Sequence, residues 1–147
     1  MSHLADLNVV VFATDLFDQS WPSQGDPNFP PLGEDAAVYF CRKLGVLQVE
    51  VLENTPLMGE GGWHWTARIG RNVYCVFLHW AAIGRPETEF WVIQLDRKRG
   101  ILNRVFAGDD ASCDMSAMVA VHSQIIGGEP RFHDVQWLTA AQFAQVY

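Results

Sequence analysis

The strongest constraint on the fold is an aromatic, alternating stretch over residues 63–80, interrupted by Gly70-Arg71. Glycine at the first position of a two-residue loop is typical of a type II′ hairpin turn. Such a turn pairs residues whose numbers add up to 141, for example Trp65 with Val76. One face of the hairpin is then uniformly apolar, whereas a three-residue turn would mix the two faces. This apolar face comprises Trp63, Trp65, Ala67, Ile69, Tyr74, Val76, Leu78 and Trp80.

Strand patterns occupy much of the remaining chain. Five further segments are β-branched or alternate between apolar and polar residues: 8–14, 47–52, 89–96, 101–106 and 131–138. Two segments have the apolar period of helices instead, namely 34–44, which we expect to end at Gly45, and 111–126, which we expect to end at Gly127-Gly128.

A short helix is predicted at the C-terminus. Thr139 and Gln142 have the spacing of a capping box, and Leu138 and Phe143 occupy the positions of a hydrophobic staple around it. Hairpins flanked by helices predict an α+β domain. We therefore expect one domain, residues 1–147, with a single antiparallel sheet of about five to seven strands, two main helices packed on one face and a short C-terminal helix.

Composition narrows the classes of partner. The net charge is −7, and an acidic surface repels phosphate backbones, so we expect no nucleic-acid partner and favour a basic protein. No apolar run is long enough for a membrane span, and no leader pattern opens the chain. Cys41, Cys75 and Cys113 lack CxxC spacing, and we expect them to be reduced, buried and structural, in a cytoplasmic protein without a cofactor.

Conventional catalytic motifs are missing, so an enzyme is the less favoured class. The second face of the predicted hairpin nevertheless carries His64, Cys75 and His79 within reach of one another. Histidine and cysteine are suitable zinc or copper ligands, and a cysteine beside a histidine is a potential nucleophile. Val73 and Phe77 lie on the same face, which favours core packing instead, so we assign no metal site.

A second set of candidates surrounds the proline-rich segment 19–32. Its members are acidic or aromatic, namely Asp15, Asp18, Trp21, Glu34, Asp35, Trp63 and Trp65. Paired carboxylates are able to divide acid and base roles, and indole rings are able to wall a ligand pocket beneath this segment. The alternatives are that Glu34 and Asp35 only stabilise a helix N-terminus and that Trp63 and Trp65 pack in the core. His122 is expected to be a hydrogen-bonded core residue, and His133 to be exposed.

One resemblance extends over residues 33–80. Gly33-Glu34-Asp35-Ala36-Ala37, a short helix ending at Gly45, an alternating strand and then Gly61-Gly62-Trp63-His64-Trp65 resemble a broad group of small bacterial α+β proteins. Many of these are uncharacterised, and some are immunity proteins that bind and neutralise toxins. The resemblance implies an α+β fold and carries no site residues. An environmental mobile gene cassette would suit such a protein.

The leading functional hypothesis is therefore a non-enzymatic protein-binding module, inhibitor-like or immunity-like, with a basic partner. The alternative is a small-molecule binder or modest enzyme with an aromatic pocket under residues 19–32. We also expect a homodimer, because helices on one face leave the second, partly apolar face of the sheet uncovered. The alternative is that the proline-rich segment, with Trp21 and Phe29, folds over this face and completes the core.

Overall fold

A computed structural model describes residues 7–17, 32–59, 61–83, 88–98 and 115–146. These residues form one antiparallel seven-stranded sheet and three helices, which confirms the α+β class. The strands are β1 (Val9–Ala13), β2 (Glu50–Val51), β3 (Leu57–Gly59), β4 (Gly62–Ile69), β5 (Asn72–Ile83), β6 (Thr88–Lys98) and β7 (His133–Leu138). The helices are α1 (Glu34–Val46), α2 (Ser116–Gly127) and α3 (Ala140–Val146). The strand order is β2-β4-β5-β6-β1-β7, and β3 also pairs with β4.

The β4–β5 hairpin has the predicted register. Trp65 pairs with Val76, and Ile69 pairs with Asn72 across the turn. Gly70 has a φ of 60°, while the non-glycine residues with positive φ in the described ranges are Gln48 and Asp134, so the turn has the pattern of type II′. The predicted assignment of side chains to the two faces of the hairpin is therefore confirmed.

The core lies between that face and the two longer helices. Phe40 and Leu44 of α1 and Met118 of α2 are fully buried in the same cluster as Trp65 and Trp91 of the sheet. Burying one large apolar side chain stabilises a fold by about 1.5–3 kcal/mol, so this layer dominates the stability of the domain.

The start of α1 is pressed against the sheet. Gly33, the residue before the helix, has a φ of 112°, which L-residues rarely adopt. A Cβ atom there would lie 3.0 Å from side-chain carbons of both Leu78 and Trp91. Only glycine allows the helix to begin this close to β5 and β6.

The end of α1 differs from the prediction. The helix continues through Gly45 to Val46, and the left-handed residue that terminates it is Gln48, with a φ of 66°. The N–H of Val49 donates to the carbonyl of Leu44 at 2.9 Å, and that of Gln48 to Gly45 at 3.0 Å, which is a Schellman arrangement. The predicted strand 47–52 is consequently wrong for its first half, and β2 spans only Glu50–Val51. Strand β3, at Leu57–Gly59, was not predicted from the sequence.

The C-terminal elements follow the prediction closely. Thr139 N–H donates to Gln142 Oε1 at 2.9 Å, and Gln142 N–H donates to Thr139 Oγ1 at 3.1 Å, so the capping box is formed. Leu138 and Phe143 pack together with valines of β1 and β6, on the side of the sheet opposite α1 and α2. Helix α3 thus covers one end of the second face. The predicted strand 101–106, residues 111–114 of the second predicted helix, and 19–31 lie outside the described residues.

Candidate functional site

The structure places His64, Cys75 and His79 on the second face of the hairpin, as the register requires. His64 and Cys75 are exposed and His79 is half-buried. Within the described ranges, no three His, Cys, Asp or Glu side chains come together as a possible metal site. His79 Nε2 instead lies 3.3 Å from Gln94 Nε2, and its ring lies 5.1 Å from that of Phe77. Burial lowers the pKa of His79, which favours its neutral form.

The cysteines differ in environment. Cys41 is half-buried, and its pKa is raised to about 12, mainly by desolvation and further by the negative charge of Glu53. The raised pKa keeps this thiol protonated at neutral pH, although it is less buried than predicted. Cys75 is exposed, so the expectation that it would be buried is wrong. The reason is its position on the side of β5 that faces away from α1 and α2. Cys113 lies outside the described residues.

The acidic candidates that the structure describes, Asp15, Glu34 and Asp35, are all exposed. Asp15 is exposed and forms an ion pair with Arg131, with Oδ1 and Nη2 3.2 Å apart. Glu34 and Asp35 are exposed in the first turn of α1, where their charges favour the positive end of the helix dipole. Asp18 is outside the described ranges.

The tryptophan candidates lie in the core. Trp65 is fully buried and Trp63 nearly so, beneath the start of α1. This placement favours core packing over a pocket wall. Trp21 and the pocket proposed beneath residues 19–32 fall outside the described part of the chain.

His122 is buried as expected, although only one ring nitrogen is bonded. Nδ1 lies 2.8 Å from the carbonyl of Met118, and the ring stacks on Phe40 with 6.2 Å between centroids. Nε2 has no hydrogen-bond partner among the described residues. Desolvation lowers the pKa of His122 to about 4, against the opposing effect of the Met118 hydrogen bond. The neutral Nδ1–H form, which donates to Met118, fits this site.

A groove that the sequence analysis did not anticipate lies where α2 meets β7. Its volume is about 250 Å³. Its lining comes from the last turns of α2, the following turn and β7, namely Ser123, Ile126, Gly127, Glu129, Pro130, Phe132, Val135 and Trp137. We call this the α2–β7 groove. The groove borders an edge of the sheet, because β7 is the last strand in the order and pairs with β1.

The α2–β7 groove has a negative character. Glu129 is half-buried, and its Oε1 accepts a hydrogen bond from the backbone N–H of Arg131 at 3.2 Å. The guanidinium of Arg131 pairs with Asp15 instead. The negative charge of Glu129 contributes, after desolvation, to a raised pKa of Tyr39. The last turn of α2 carries no basic residue, so its terminal carbonyls add to the negative potential.

Only a weak signal in the sequence indicates this groove. Gly127-Gly128-Glu129-Pro130 separates a helix from a strand that ends near Trp137, which predicts a turn and no more. Phe132 and Trp137 come together with Ile126 only after β7 has paired with β1 at the sheet edge.

Comparisons with protein-family models, curated proteins and solved structures find no match to this chain. The resemblance to immunity proteins therefore stays a prediction. Among the described helices, none has the length and apolarity that crossing a membrane requires. Fold and groove together define an α+β domain with an acidic groove beside a sheet edge.

Proposed function

We propose that this protein is a non-enzymatic protein-binding module, inhibitor-like or immunity-like, that recognises a basic partner. The observation that carries the proposal is the position of β7 at the sheet edge, directly beside the α2–β7 groove. An open strand edge binds an extended segment through main-chain hydrogen bonds, while a neighbouring pocket selects a side chain.

The charge of the chain favours a basic partner. A net charge of −7 attracts a positively charged protein and accelerates encounter at low ionic strength. Val135, in the middle of β7, is 43% exposed and offers apolar contact area at the groove. The binding surface thus combines a strand edge, an apolar wall and negative charge.

The test is affinity capture from a bacterial lysate with matched arginine variants. Val135→Arg places a bulky cation in the groove, whereas Val46→Arg makes the same change at a residue of α1 that is 72% exposed. We expect the wild type and Val46→Arg to retain one predominant basic protein at low salt, and Val135→Arg to lose it. Salt at about 0.5 M, where the Debye length is only a few ångströms, should weaken capture strongly. Absence of any partner for wild type and Val46→Arg would contradict the proposed function.

We further propose self-association through the second face of the sheet, over β3, β4 and β5. Leu57 is 45% exposed there, beside exposed His64 and half-buried Phe77, and α3 lies at the opposite end of that face. Light scattering at micromolar concentration should report twice the chain mass of 16.5 kDa. A single 16.5 kDa species would contradict the dimer. If the wild type is a dimer, Leu57→Lys should convert it to the monomer.

A further inference from the structure

We infer that the α2–β7 groove binds the cationic side chain of an arginine or lysine presented by the partner. The inference rests on the proposed function and names the chemistry of its contact. It is carried by the charge, the apolar walls and the size of the groove, which are independent of one another.

The charge of the groove selects a cation. Glu129, a half-buried residue, lines the groove and carries its only carboxylate, and none of the ion pairs among the described side chains involves it. The C-terminal end of α2 contributes the negative pole of a helix of 12 residues, with no lysine or arginine in its last turn. A carboxylate that no described cation pairs with is open to a charge-assisted hydrogen bond from an arginine or lysine head group.

The walls of the groove select a long side chain rather than a bare ion. Its lining includes the aliphatic residues Ile126 and Val135 and the aromatic residues Phe132 and Trp137. Arginine and lysine bury their methylene stems on apolar surface while the charged head reaches a polar partner. Aromatic rings also attract such cations when the head passes over them.

The size of the groove indicates one side chain. At about 250 Å³ it lies below the range of roughly 300–1,000 Å³ that is typical of small-molecule sites. The adjoining edge of β7 is where the main chain of an extended segment would run. A protein segment with one basic residue therefore fits better than a free metabolite.

The test is a titration of the ¹⁵N-labelled protein with N-acetylarginine methylamide, followed by two-dimensional NMR. The citrulline analogue is the neutral control, because it has almost the same shape without the charge. We expect the arginine compound to shift the backbone resonances of Ser123, Gly127 and Val135, and the citrulline analogue to shift them at least about tenfold less at equal concentration. The affinity of one side chain is expected to be in the millimolar range.

Two variants distinguish the effect of the Glu129 carboxylate on arginine binding from the effect of the net charge of the protein. Glu129→Gln keeps an oxygen that accepts the hydrogen bond from Arg131 N–H, and should weaken arginine binding about tenfold. Asp134→Asn removes the same charge from β7 outside the groove lining, and should change it less than about twofold. Asparagine tolerates the left-handed backbone of residue 134, where φ is 54°.

The outcomes distinguish the inference from the proposed function. Equal shifts with arginine and citrulline compounds, or equal affinity for wild type and Glu129→Gln, would overturn the inference. If a partner is still captured by the wild type and lost by Val135→Arg, the proposed function survives that result. Arginine binding that depends on Glu129, together with no captured partner, would support the groove chemistry and contradict the protein-binding function.

Discussion

Replacement of His122 by leucine is the most informative perturbation of the core. The variant removes the ring nitrogen Nε2, which is buried without a partner among the described residues, and keeps an apolar side chain of similar bulk against Phe40. It also loses the hydrogen bond to Met118. A lost hydrogen bond and a relieved desolvation penalty each amount to roughly 1–2 kcal/mol and oppose one another. At pH 7.5 we expect the free energy of unfolding to stay within about 1 kcal/mol of the wild type.

The difference should emerge in acid. The pKa of His122 is about 4 in the folded protein, against about 6.5 in an unfolded chain. Because the folded pKa is depressed, the unfolded state binds the proton first, so stability is complete above pH 6.5 and is lost as the pH falls towards 4. Each pKa unit corresponds to 1.36 kcal/mol, which makes the full loss about 3 kcal/mol and the loss at pH 5 about 2 kcal/mol.

Urea unfolding at pH 7.5 and pH 5.0 measures this effect. His122→Leu should lose about 2 kcal/mol less than the wild type between these two pH values. Val46→Ala changes a side chain that is 72% exposed and does not titrate, and serves as the control, with the same loss as the wild type. If His122→Leu and the wild type lost stability equally, the imidazole would not be held neutral by burial, and the assignment of its environment would be wrong.

Three further predictions concern backbone fit, helix capping and thiol access. Gly33→Ala should lower the free energy of unfolding by about 2–3 kcal/mol, through strained backbone and contact with the sheet, whereas Gly45→Ala, with open space around it, should raise it by about 0.5–1 kcal/mol in the same urea assay. Thr139→Ala should cost about 1 kcal/mol in thermal unfolding by circular dichroism, and Thr139→Ser should cost much less. With iodoacetamide at pH 8, mass spectrometry should detect modification of Cys75 well before that of Cys41; the reverse order would contradict the assigned exposures.

Features set by residues close in the chain could be predicted from the sequence. The register of β4 and β5 follows from Gly70 and from the alternation of aromatic residues, since a slip of one residue would bury polar side chains. The capping box of Thr139 is similarly local, because the four residues that form it contain all its donors and acceptors.

The end of α1 could not be predicted in the same way. Glycine is typical of the position just after a helix, yet α1 continues through Gly45. The reason is that Val49 becomes buried in the core when the chain turns at Gln48 instead. Burial of Val49 against Leu44 offsets the cost of a left-handed glutamine, roughly 1–2 kcal/mol. A tertiary contact therefore overrides the local preference of glycine.

The α2–β7 groove could not be predicted from the sequence for a related reason. Its members belong to a helix, a turn and a strand, and none has a motif spacing. In the sequence, Glu129 is an ordinary turn residue with Arg131 close by. Only the structure shows that Arg131 pairs with Asp15, more than a hundred positions earlier in the chain, and not with Glu129. The electrostatics of the groove are thus a product of the fold.

The edge of β7 limits how a partner binds. Asp134 has a φ of 54°, and the register with β1 shifts between Val11 and Ala13, so the start of the strand is bulged. Bulges blunt strand edges against pairing. The regular part left, from Gln136 to Leu138, extends about 10 Å at 3.4 Å per residue. So short a ladder supplies few main-chain hydrogen bonds, and most of the affinity must then come from the groove and from charge, which is why complex formation should be strongly sensitive to salt.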